Sequence, residues 1–280
     1  MTMLTESFEV AVRHHRAGDL AEAERRYREI LRIDPTHSDA LHLLGVVAQQ
    51  SHRPADAIRH IEQAIALKPH SALYYNNIAA AYRTSGDFPR AAACYRSAVR
   101  LDPNYVDAWR HLGSLCVERR EFEEAASCYC HVVRIDPNDA DAWFRLGNVS
   151  GDLGMSREAR DCFARAVEID PDHAEANYNL GNALRAEGAT EIAIRHYRRA
   201  LKTVADFSAA RVNLAGAFCE LGLSCEQDGR LQKAGLCYRQ ALAARPRHAP
   251  ALVSLGNGLK AQDAMWVAGD GARQLRGGNP

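Results

Sequence analysis

Residues Val106–Asp139, VDAWRHLGSLCVERREFEEAASCYCHVVRIDPND, are followed at once by a near-copy, Ala140–His173, ADAWFRLGNVSGDLGMSREARDCFARAVEIDPDH. A shift of 34 residues lays Trp109 on Trp143, Leu112 on Leu146, Gly113 on Gly147, Ala125 on Ala159, Tyr129 on Phe163 and Pro137 on Pro171. Self-similarity at a fixed period of this length points to one supersecondary unit stacked on copies of itself, each burying the apolar face of its neighbour. Working outward gives the frames Leu4–His37, Ser38–Ser71, Ala72–Tyr105, Val106–Asp139, Ala140–His173 and Ala174–Phe207. A seventh, Ala215–His248, starts seven residues late.

Each frame predicts two antiparallel helices, A over roughly its first 14 positions and B over roughly positions 17–30. Gly45, Gly113, Gly147, Gly181 and Gly222, with Ala79 standing in, recur where helix A crosses its own helix B, and a larger side chain there would push the two apart. Ala23, Ala57, Ala91, Ala125, Ala159, Ala193 and Ala234 give the matching small surface on helix B. Gly18, Gly86, Gly154, Gly188 and Gly229 fall at the A–B turn, where a left-handed cap is expected. Pro35, Pro69, Pro103, Pro137, Pro171 and Pro246 are expected to stop helix B, because proline cannot continue the hydrogen-bond ladder. The sixth frame lacks its proline, reading LKTVADFS. Leu214, Phe218, Leu221 and Cys225 run 4, 3 and 4 apart, which predicts one overlong helix A over Ser208–Gln227.

A 34-residue period carrying Trp, Leu-Gly, Ala, an aromatic and Pro in that order resembles the tetratricopeptide repeat (TPR). The resemblance implies an all-α fold, a TPR superhelical solenoid of stacked antiparallel helix pairs. On that reading seven repeats occupy 4–248, with a two-turn insertion near 208–214, a capping helix over 249–262 and a disordered tail over 263–280.

Composition narrows the function classes. Lys+Arg and Asp+Glu balance at 35 each, so no global field favours nucleic acid or anionic lipid. The N-terminus, MTMLTESFEVAVRHH, has no apolar run resembling a signal peptide, and no stretch approaches ~18 apolar residues, so a cytoplasmic protein with no membrane segment is expected. Nucleotide-loop, zinc-protease and serine-hydrolase signatures are all missing, and no enzymatic activity is expected. Cys94, Cys128, Cys162 and Cys237 each precede the helix B aromatic, so duplication accounts for them as small packed residues. Cys128 and Cys130 lie about 200° apart around a helix, a poor chelating geometry. No metal site and no cofactor is expected.

The TPR resemblance implies a concave groove lined by helix A positions 2, 6, 9 and 13. Position 6 holds Asn77, His111, Arg145, Asn179 and, in the unshifted frame, Asn213; position 9 adds Asn148, Asn182 and Asn257. Position 5 adds Asn76, Arg110, Phe144 and Tyr178. Asparagine is a poor helix former, so its recurrence needs a reason. Its amide donates and accepts at once, which suits either a peptide backbone or hydrogen bonding within the stack. The array is similar to the asparagine ladder of O-linked N-acetylglucosamine transferase TPR superhelices, which share phrases such as ALHLLGVVAQQ and ANYNLGNALR, although His111, Arg145 and Leu43 interrupt it. The expected function is a protein–protein interaction scaffold that holds an extended segment of a protein or peptide partner through main-chain bonds to asparagine. Phe144, Tyr178 and Arg145 would lend selectivity. The alternative is the substrate-recruiting part of a TPR-linked glycosyl- or sulfotransferase without its catalytic domain. A chaperone carboxylate clamp needs groove lysines, and Lys68, Lys202, Lys233 and Lys260 do not match that pattern.

No helix B alanine–aromatic pair follows Lys260. Truncation after Gln262 is therefore expected to leave the melting temperature unchanged. A drop of several degrees would place Met265 and Trp266 against Leu255 and Leu259.

Overall fold

The computed structural model describes residues 2–257, all helix and turn with no strand among them. The helices alternate as A and B: α1 (Thr2–Arg16), α2 (Leu20–Ile33), α3 (Ser38–Gln50), α4 (Pro54–Leu67), α5 (Ala72–Thr84), α6 (Phe88–Leu101), α7 (Val106–Glu118) and α8 (Phe122–Ile135). They continue with α9 (Ala140–Asp152), α10 (Ser156–Ile169), α11 (Ala174–Ala186), α12 (Thr190–Thr203), α13 (Ser208–Gln227) and α14 (Leu231–Ala244). A further helix starts at residue 249 and reaches the end of the described residues; the expected tail over 263–280 lies outside them. The chain divides after Pro137 into two compact units, the first holding α1–α8 and the second α9–α14. No described helix is long and apolar enough to cross a membrane.

Within a repeat the helices meet where a small residue on A lies under a ring on B. A Cβ added at Gly113 would stand 3.0 Å from the Tyr129 ring, and one at Gly147 only 2.6 Å from Phe163. The same approach is 2.7 Å for Gly181 on Tyr197 and 2.5 Å for Gly222 on Tyr238. In the second repeat Ile61 takes the place of the ring, 2.5 Å from a Gly45 Cβ. Where alanine stands at that position, as at Ala11 and Ala79, it is fully buried, as are Tyr27 and Tyr95 on helix B of the same repeats. Close-packed interiors have no room to absorb a methyl group here without moving a ring.

The turns divide into those that need their special residue and those that do not. Gly18, Gly86, Gly154, Gly188 and Gly229 adopt φ between 74° and 83°, and His52 and Arg120 take the same left-handed turn in the repeats without glycine. The turn geometry is therefore imposed by the helix pair, at a cost of ~1–2 kcal/mol wherever a Cβ is present. Proline is dispensable in the same sense. Val204 caps α12 at φ −122°, ψ 91° with its N–H on the Ala200 carbonyl, while Asp170 caps α10 at φ −120°, ψ 93° just before Pro171. Side chains complete several helix starts: Asp19, Asp87 and Asp139 accept from the N–H groups of Glu22, Arg90 and Ala142, and the His37 and His173 rings accept from Ala40 and Ala176.

Helix α13 spans 20 residues where the A helices α3, α5, α7, α9 and α11 span 13. It starts on the 34-residue schedule, and Asn213 reaches back to α11. From Ala215 its second part crosses α14, with Gly222 under Tyr238. Seven residues advance a helix by about 700°, some 20° short of two turns, so both stretches keep a buried face. The sequence reading saw one apolar stripe. The helix in fact buries Ala210, Ala215, Ala217, Cys219 and Gly222 beside Leu214, Phe218 and Cys225, because it packs against helices on more than one side.

Gly147→Ala is expected to cost ~1–3 kcal/mol by driving a methyl into Phe163. Pairing it with Phe163→Leu should recover part of that loss. Denaturant midpoints of the two variants check the crossing; an unchanged midpoint for Gly147→Ala would show that α9 and α10 do not meet there.

Candidate functional site

In the first unit, α3, α5 and α7 are joined by a chain of side-chain hydrogen bonds. His111 Nδ1–H donates to Asn76 Oδ1 at 3.0 Å, Asn76 Nδ2 donates to Asn77 Oδ1 at 3.2 Å, and Asn77 Nδ2 donates to His42 Nε2 at 2.8 Å. His42 must be neutral to accept that bond. Burial pushes its pKa down to about 4, and burial likewise lowers that of His111. The His42 ring stacks on Tyr74 at 4.4 Å, and the Tyr74 hydroxyl donates to Asp39. Asn76 is 5% exposed, with hydrogen bonds on both sides; Asn77 and His111 are half-buried. Arg110 is held by Asp107 at 3.0 Å on its own helix.

In the second unit the amides pair directly. Asn179 Nδ2 donates to Asn148 Oδ1 at 2.8 Å, and Asn213 Nδ2 donates to Asn182 Oδ1 at 2.7 Å and to the Tyr178 hydroxyl at 3.2 Å. The Tyr197 hydroxyl also donates to Asn182 Oδ1, at 2.9 Å. All four asparagines are half-buried on the A helices α9, α11 and α13. Phe144 and Tyr178 sit in ring clusters of their own repeats. Phe144 lies 6.1 Å from Phe163 and 4.8 Å from His173, and Tyr178 lies 6.2 Å from Tyr197 and 4.9 Å from Phe207. Arg145 is exposed and pairs with Asp141 at 2.7 Å.

These bonds obey a rule that the frames alone did not reveal. A side chain on one A helix meets the residue 35 positions on, one more than the period. His42 reaches Asn77, Asn76 reaches His111 and Tyr178 reaches Asn213 in this way. The same step ties His15 to Gln50, Gln49 to Thr84, Arg83 to Glu118 and Arg185 to Glu220. A second step of 31 links Asn148 to Asn179 and Asn182 to Asn213. Sequence reasoning missed His42 and Tyr74, and it missed Asn177. Asn177 is fully buried and donates to the carbonyls of Pro171 and His173 while accepting from His196. The signal that would have found His42 is the polar residue one frame and one position before Asn77.

A family model described as the cilia and flagella-associated protein 70 C-terminal domain matches residues 7–213, and a tetratricopeptide repeat model matches residues 215–248. The two matches part at the extra turns of α13. A heat-shock protein cognate (HSC) co-chaperone of Aspergillus fumigatus is 33% identical over 97 residues, covering 35% of this chain and 28% of its own length. The chain spans only 15–28% of the length of the curated relatives it matches. Among solved structures, the C-terminal part of a TPR repeat-containing protein from Cytophaga hutchinsonii superposes with a TM-score of 0.69 at 16% identity, covering 89% of this chain and 99% of its own. YrrB, described as a TPR protein with an unusual peptide-binding site, superposes with a TM-score of 0.55 at 24% identity, covering 69% of this chain and 96% of its own.

The buried neutral His42 carries a pH signature. Its folded pKa of about 4 lies below the ordinary histidine value of 6.5, so between those values the unfolded chain binds more protons and stability rises with pH. That contribution is complete above about pH 6.5 and is lost as pH falls towards 4, up to ~3 kcal/mol in all. Urea midpoints from pH 7 to 4 should fall more steeply for the wild type than for His42→Asn; parallel curves would show that His42 is not the group titrating.

Proposed function

Because the chain belongs to the tetratricopeptide-repeat family, we propose that it is a protein-interaction scaffold whose A-helix face binds an extended peptide segment by its main chain. The observation that carries this reading is the pairing of half-buried amides on α9, α11 and α13. Each pair fixes the direction of its members. Asn148 and Asn182 accept through Oδ1, which leaves their N–H groups to donate outward, and Asn213 gives both N–H groups away and keeps its carbonyl. A row of donors and acceptors oriented in advance suits a peptide backbone and carries little ordering cost on binding. Main-chain recognition is tolerant of partner sequence. The rings of Phe144 and Tyr178 and the exposed Arg145 flank the row and supply side-chain preference.

The test uses peptides selected on the intact protein from a displayed random library. Replacing Asn179, Asn182 and Asn213 together by Ala should weaken the selected peptides ~10- to 1000-fold, at ~0.5–1.5 kcal/mol per bond with coupling between neighbours. The structure adds a cost the sequence did not foresee: the same change removes interhelix bonds, so the variant must be compared at a temperature where its helicity equals that of the wild type. Arg195 and Arg199, both exposed on α12, to Ala form the control on the opposite helices. Equal binding by the triple variant, with the arginine variant impaired, would move the site off the A helices. Retention of affinity after N-methylation of the peptide backbone would remove the main-chain mode.

A further inference from the structure

Cys116 lies in the last turn of α7, and Cys128 lies on the facing side of α8; both are fully buried. The two thiols are neighbours, and Cys116 together with burial pushes the Cys128 thiol well above its ordinary pKa. Beside them stand two carboxylates from the start of α8. Ligand atoms of Cys116, Glu121 and Glu124 all lie within 4.8 Å of one another. Glu121 occupies the N-cap of α8 yet makes no cap hydrogen bond, and its Oε2 is buried without a partner while Oε1 meets Arg119 at 2.8 Å. Glu124 receives two bonds of 2.7 Å from Arg96.

We propose that Cys116, Glu121 and Glu124, with the neighbouring Cys128 turning in as a fourth donor, form a tetrahedral site for a soft divalent cation of the zinc class, stapling α7 to α8. Three donors converge, Cys128 beside Cys116 supplies the fourth that a closed zinc site takes, and thiolate sulfur selects zinc over calcium or magnesium. Bond lengths to zinc place donors about 3.3–3.8 Å apart around the ion, so the three donors within 4.8 Å of one another close by about 1 Å, and the Cys128 side chain must turn towards them. Charge also balances. Two thiolates and two carboxylates give four negative charges, met by the dication and by the guanidinium groups of Arg96 and Arg119. A carboxylate has lone pairs to spare, so Arg96 holds Glu124 in place as an outer partner while the ion takes another site on it. Binding releases the thiol protons to solvent and changes no oxidation state.

The chain supplies its own comparison. Cys225 and Cys237 repeat the Cys116 and Cys128 positions in the last repeat and are likewise neighbours, but Arg230 and Lys233 stand where Glu121 and Glu124 stand. The sulfur pair is thus compatible with the crossing by itself, and the carboxylates are what the fourth repeat adds. In the fifth repeat the same positions read Ser150, Met155, Glu158 and Cys162, which offer two ligands.

The experiment titrates the reduced, metal-free full chain with Cd2+, reading the ultraviolet sulfur-to-metal charge-transfer band, and then displaces the probe with Zn2+. One Cd2+ per chain should bind with that band. The band should vanish in Cys116→Ser and in Cys128→Ser and persist in the Cys225→Ser/Cys237→Ser variant. Glu121→Gln, at a partly exposed helix start, is expected to fold as the wild type by circular dichroism and to bind Zn2+ at least ~10-fold more weakly. Absence of the band in the reduced wild type would overturn the proposal. So would a band that survives Cys116→Ser, one that follows Cys225 and Cys237, or wild-type zinc affinity in a Glu121→Gln/Glu124→Gln double variant.

Discussion

Everything in this structure depends on one close approach, a residue without a bulky side chain on helix A lying under a large side chain of its own helix B, which is Ile61 in the second repeat and a ring elsewhere. Gly147 under Phe163 and Gly222 under Tyr238 leave no space for a methyl group, whereas the first repeat buries Ala11 in one cluster with Tyr27. The ring is buried, so the crossing supplies much of the repeat's apolar burial at a single point. It also fixes the angle and rotation of each pair, and hence which faces remain for the next pair.

From that angle follows the displacement of successive A helices by one residue beyond the period. It places position 5 of one repeat beside position 6 of the next, and it explains why His42 finds Asn77 and Asn76 finds His111. The exposed end of the same face carries ion pairs at the same step, Arg83 with Glu118 and Arg185 with Glu220. Surface pairs of this kind contribute little each, typically below ~1 kcal/mol. The half-buried amide bonds matter more, since a buried polar group left unpaired costs ~1–3 kcal/mol. The A-helix face is therefore the seam of each unit.

Turns and stops are subordinate to the helix pair. His52 and Arg120 accept the left-handed conformation that glycine takes elsewhere, and Val204 caps α12 without a following proline. Helix α13 goes further and serves two frames on one rod, which two helical turns of insertion permit and three or five residues would not.

The repeat frames, the crossing glycines, the helix lengths and the extent of α13 were legible in the sequence, because a stacked unit leaves its period and its small residues at fixed intervals. The asparagine positions were legible as well, but their partners were not. Frames compare a residue with its equivalent 34 positions away, whereas the bonds run to 35 and 31, distances set by how neighbouring helices tilt. Phe144 and Tyr178 were visible as aromatics at one frame position; only packing set them against His173 and Phe207. The cysteines show the same limit. Sequence spacing offered Cys128 with Cys130 on one helix, while the antiparallel return of α8 on α7 brings Cys116 to Cys128 and to the two glutamates at the start of α8 instead. Periodicity determines what each helix buries, and the crossing of helices decides which side chains meet.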